Sequence, residues 1–113
     1  MFTISGKNIM LDALGVTHVS AHSANPGESG LNEISGGGYA RQSITYNAAS
    51  SGAKDSSNVP TIPIPAGNTV AYFGYWSAVT GGTFLGYSAL SAAEDYSNDG
   101  NIVVTDSDLI IND

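Results

Sequence analysis

Cysteine is absent from the 113 residues, so neither a disulfide framework nor a thiolate metal site is available. Cations are nearly absent too: three Lys and Arg stand against ten Asp and Glu, for a net charge of −7. Nucleic-acid affinity comes largely from cations neutralising phosphates, so a DNA- or RNA-binding role is excluded by charge. Charged residues make up only 12% of the chain, about half the usual globular share. Much of the surface must therefore be small polar side chains and backbone. No apolar run approaches the ~18 residues needed to cross a bilayer, which argues against a membrane partner. The opening Met1-Phe-Thr-Ile-Ser-Gly-Lys lacks the charged, apolar and small-residue succession of a signal peptide, so synthesis in the cytoplasm is expected.

What is present is glycine, small residues and a dense set of aromatics. The length and the 42% hydrophobic content suit one domain spanning residues 1–113. Ile9, Met10, Ala13 and Leu14 fall at helical spacing before Gly15, which predicts a short amphipathic helix over 7–14, docked by its apolar face. Val16 to Ser23 alternates as a strand, with Thr17, Val19 and Ala21 on one face and His18, Ser20 and His22 on the other. Pro26-Gly27 then opens a long exposed loop to Asn32. A second strand follows over Arg41 to Asn47, and Ala48 to Asn58 reads as a low-complexity connector. Prolines at 60, 63 and 65 cannot donate to a ladder, which places Val59 to Pro65 at a sheet edge.

Val70 to Val79 and Thr83 to Leu90 form an aromatic hairpin, 70–90, around Thr80-Gly81-Gly82, and this is the expected core. Alternation sends Tyr72 and Trp76 to one face, Phe73 and Tyr75 to the other. Ser91 to Gly100 reads as an acidic loop, with short strands at Asn101 to Thr105 and Leu109 to Ile111. The pattern as a whole predicts an all-β fold, an antiparallel sandwich or jelly-roll-like barrel with one short N-terminal helix.

Three stretches are candidates for function. Gly36, Gly37 and Gly38 lead into Tyr39 and Arg41, which reads as a tight structural crossing in which Arg41, one of three cations, is anchored to an acid. Tyr72, Tyr75, Trp76, Val59, Ile62 and Ile64 are a candidate partner surface, since aromatics are enriched at interfaces and edge strands attach partner chains. His18 and His22 share a strand face and suggest a metal pair completed by Asp12 or Glu28, but the ligand set is incomplete. Asp95, Ser97, Asp99, Gly100 and Asp106 follow the first part of a calcium loop, without the Glu that the last position wants or flanking helices. No metal and no cofactor are expected. No Gly-x-Ser-x-Gly elbow, ordered triad or phosphate loop occurs, so no enzyme is expected.

The segments Asn8 to Leu14, Thr17 to His22, Asn25-Pro-Gly27, Asn32 to Arg41 and Tyr72 to Gly82 together resemble a family of small tailed-phage and prophage virion proteins, variously labelled tail fibre, minor tail or head decoration protein. The likeness runs from Asn8 to about Leu90 and is most specific at Glu33 to Arg41; the Asp-rich residues 94–113 depart from it. It implies a structural virion component with a β-sandwich fold and no catalytic residues. Combined with the compact size and surplus aromatics, this leads to the expectation of a homotrimeric head decoration protein on the virion surface, cementing the major capsid protein lattice. The alternative is a tail fibre or minor tail component that works with tail proteins or contacts a receptor through the 24–32 and 91–100 loops.

Overall fold

The computed structural model describes residues 1–105 and 107–111. The chain order is a helix α1 (Ile4–Ala13) followed by eight strands: β1 (His18–His22), β2 (Gln42–Ser43), β3 (Ala53–Asp55), β4 (Thr61–Ile64), β5 (Asn68–Trp76), β6 (Phe84–Tyr96), β7 (Gly100–Val103) and β8 (Asp108–Ile110). All pairings are antiparallel: one sheet runs β2-β1-β5-β6, and β4–β7 and β3–β8 form two-stranded sheets. The all-β architecture with one short helix is that expected from the sequence.

The core forms where one face of the large sheet meets β4 and β7. Val19 and Ala21 from β1, Val70 and Tyr75 from β5, Ile62 and Ile64 from β4 and Ile102 from β7 pack there with Ile34, Ile44 and Val104. Strand β1 is buried on both faces, since Ser20 and His22 on its other side are also inaccessible to solvent.

Five expectations need correction. The helix starts at Ile4 rather than at residue 7, because the Thr3 hydroxyl caps it by accepting the Gly6 N–H at 3.0 Å. It does not dock by an apolar face: Ile9 is 71% exposed, and the buried side is Leu11 flanked by Asn8 and Asp12, which accept the N–H groups of Gly52 and Ala49. These three residues share a stripe at helical spacing that hydropathy alone does not mark.

The supposed connector at 48–58 contains β3, paired with β8 through Lys54 opposite Leu109. In place of an acidic loop from Ser91, β6 continues to Tyr96, and Glu94 and Asp95 lie opposite Val70 and Thr69. Beyond Leu90 the side chains of β6 stay exposed up to Asp95, so no alternation is imposed there for the sequence to reveal. Finally, Arg41 to Asn47 is strand only at Gln42–Ser43; Tyr46 makes a single bridge to Ser56.

Candidate functional site

The polar heart of the molecule is a clamp centred on Glu33. Strand β2 pairs with β1 only at His18 and Val19, so the β1 edge beyond it needs other partners. The segments on either side of the triple glycine supply them: Ile34 N–H donates to Ala21 O at 2.9 Å, and Tyr39 Oη accepts from Ala21 N–H at 3.1 Å. Tyr39 in turn donates to Glu33 Oε2 at 2.7 Å. Arg41 forks onto the same carboxylate, Nε to Oε2 and Nη2 to Oε1, both at 2.9 Å. Its Nη1 donates to Ala78 O at 3.2 Å and Gly81 O at 2.9 Å, and its guanidinium carbon lies 3.5 Å from the centroid of the Trp76 ring. One arginine thus fixes the Glu33 segment, the β5–β6 turn and an indole, using the planar fork and stacking face that lysine lacks.

The three glycines have different roles. Gly36 and Gly37 have φ of 87° and 51°, and a Cβ on Gly37 would stand 3.0 Å from Pro65. Gly38 has open space around it. The crossing therefore rests on Gly36 and Gly37.

Behind Trp76 runs a second chain of hydrogen bonds. Trp76 Nε1 donates to Ser20 Oγ at 2.8 Å, Ser20 lies 2.6 Å from His22 Nε2, and His22 Nδ1 lies 2.8 Å from Leu31 O. A carbonyl can only accept, so Nδ1 carries the proton, and Nε2 accepts from the Ser20 hydroxyl. The loop 24–32 is thereby tied to the sheet through a neutral, buried histidine. Gly74 and Gly30 make room: a Cβ on Gly74 would meet Ser20 Oγ and lie 2.5 Å from His22 Nε2, and one on Gly30 would lie 2.6 Å from Trp76.

Burial pulls the His22 pKa below its ordinary value, against the opposing pull of the Leu31 carbonyl and the Glu33 charge. For Glu33, burial pushes the carboxyl up, but hydrogen bonds from Arg41 and Tyr39 and the Arg41 charge outweigh it, and the net pKa is lowered. Burial raises the Tyr39 phenol.

The candidate partner surface is divided by the fold. Tyr72 is half-buried against Tyr87, and Val59 is exposed. Tyr75 and Trp76 are buried, and so are Ile62 and Ile64 at 0% and 1% exposure, so these four side chains are not available to a partner. Edge position frees the backbone of β4 but leaves one of its two faces in the core. Phe73 and Tyr75 do fall on the core face, and Trp76 on the opposite one.

The suggested metal ligands are dispersed. His22 is committed to Ser20 and Leu31, Asp12 pairs with Lys54 at 3.4 Å, and no cluster of three potential ligands occurs among the described residues. In the suggested calcium loop, Asp95 of β6 accepts from the Thr69 hydroxyl of β5 and Asp99 accepts from Ala66 N–H, while Asp106 lies outside the described residues.

Reasoning from sequence missed Glu33, Ser20 and Trp76 as members of one network. A usable signal was there: Ser20 and His22 share a strand face, and Gly74 and Trp76 share one on β5.

This geometry defines a small antiparallel β protein whose polar side chains are committed to holding its own loops rigid. The chain belongs to the family of the podophage GP4 fiber I protein gp80, whose family model matches residues 7–112. It is thus a fibre-type bacteriophage virion protein. No curated protein matches it.

Proposed function

We propose that this chain is a non-enzymatic tail fibre component that presents the 24–32 loop and the β5–β6 turn as a rigid contact surface. The observation that carries the reading is the Arg41 clamp, which joins Glu33 at the foot of one loop to Ala78 and Gly81 in the other. Leu31 and Val79, on these two segments, are 61% and 49% exposed. Apolar side chains held in water on pre-ordered loops lower the entropy cost of binding, which suits receptor or tail-protein contact. The family description favours the tail over the head-decoration role first expected. Several copies, three on the initial expectation, would build the fibre.

Electron cryo-microscopy of particles carrying a tagged copy tests the placement. Density at the tail is expected; density repeated over the capsid lattice restores the head-decoration reading. Leu31→Asp with Val79→Asp should lower adsorption of assembled particles, and unchanged adsorption removes the contact role.

A further inference from the structure

Strand β6 is the outermost strand of the large sheet, and its 13 residues outrun the 9 of β5. In that sheet β6 is paired with β5 alone. Such an edge is a template for another strand, and proteins blunt it with lysine, proline, inward charges or bulges. From Phe84 to Ala93 β6 has no lysine, proline or charge; its irregularities are the register shifts against β5 between Ala89 and Glu94 and between Phe84 and Gly86. Beside its first half lies a largely apolar cleft of about 620 Å³ lined by Leu85, Gly86 and Ser88 on one side and by Met10, Leu14 and Leu109 on the other, with the acidic Asp108 at its wall. Its far half carries Glu94 and Asp95.

We propose that β6 is a docking edge for an extended segment of another protein, one with alternating apolar side chains and Lys or Arg at the end that meets Glu94 and Asp95. The paired backbone supplies the affinity, and the cleft takes every second side chain. The charge pattern sets the occupant. Two of the chain's own three cations, Arg41 and Lys54, are engaged with Glu33 and Asp12.

A second copy of β6 fits poorly. Full antiparallel overlap is centred on Leu90, which sets Glu94 of one copy against Gly86 of the other. Gly86 is opposite Tyr75, on the face of the apolar cleft, so the carboxylate would be desolvated there. Parallel overlap stacks Glu94 and Asp95 on their equivalents, where like charges repel.

The test uses the purified full chain, so its outcome is independent of where in the particle the protein sits. A short peptide alternating valine and threonine with two N-terminal lysines is added, and amide hydrogen exchange is followed by residue. Slowed exchange confined to the free edge of 84–95 is expected, with binding at least ~5-fold weaker for the same peptide bearing two glutamates, or for Glu94→Gln combined with Asp95→Asn. No slowing at millimolar peptide, slowing elsewhere, or equal binding of the acidic peptide overturns the proposal. So does protection of β6 without peptide that grows with protein concentration, which would assign the edge to a second copy.

Discussion

Arg41 stacks on Trp76 at 3.5 Å while gripping both oxygens of Glu33, so one side chain couples the aromatic face of the sheet to the entry of the glycine crossing. Both members of the ion pair are largely buried, with side-chain exposures of 10% and 20%. Removing one partner of such a pair leaves the other charge uncompensated. Arg41→Ala is expected to destabilise the fold by about 3 kcal/mol, read as a lower urea midpoint with Trp76 fluorescence as the probe. Arg41→Lys should recover less than half of the loss, because a point charge cannot span Glu33, Ala78 and Gly81 together. Full recovery by lysine would reduce the clamp to simple charge pairing.

Acid should weaken the protein in two stages. His22 has a folded pKa below its ordinary value of about 6.5, so the unfolded chain takes up the proton first as pH falls. Stability is complete above about pH 6.5 and declines below it until the folded pKa is reached, with a slope of at most about 1.4 kcal/mol per pH unit for one proton. Glu33 also has a lowered folded pKa, so its contribution is present above its ordinary value of 4.5 and is lost as pH falls through the folded value. Urea melts between pH 7.5 and 3.5 would show both stages; His22→Gln should be less stable throughout and lack the upper one.

The glycines should respond unequally to alanine. Gly38→Ala meets open space without positive φ and is expected to be neutral or to stabilise by up to about 1 kcal/mol through the unfolded state. Gly37→Ala is strained by both its φ and Pro65. Gly74→Ala drives a methyl into the Ser20–His22 hydrogen bond and should cost about 1–3 kcal/mol or more. Thermal melts of the three variants rank them directly.

Ile62→Ala should cost about 2–5 kcal/mol, since the side chain is wholly enclosed. Val59→Ala, at a residue 57% exposed, should stay within about 0.5 kcal/mol. Similar losses at both positions would contradict the packing of β4.

The elements legible in the sequence were those under two-sided constraint. The β5–β6 hairpin announced itself because Tyr72 to Trp76 must alternate between two filled faces around a Gly81-Gly82 turn with φ of 60° and 73°. The Glu33 to Arg41 crossing stood out because consecutive glycines are costly unless the backbone needs them. The far half of β6 left no trace in hydropathy, because its small side chains face water. The helix face remained hidden because its contacts are made by Asn8 and Asp12, polar residues with no periodic signature. Ile62 and Ile64 were misjudged because prolines report on backbone pairing and are silent about which side chains are buried.

The neck of the 24–32 loop is closed by the bridge between His22 and Glu33 and by Ser23 N–H donating to Asn32 O, while Glu28 and Ser29 at its tip stand in solvent. With the ends fixed, doubling the span between them costs only about 0.6 kcal/mol of closure entropy. The tip can therefore lengthen, shorten or change composition without disturbing a single sheet contact. It forms an exchangeable cassette on a fixed mount.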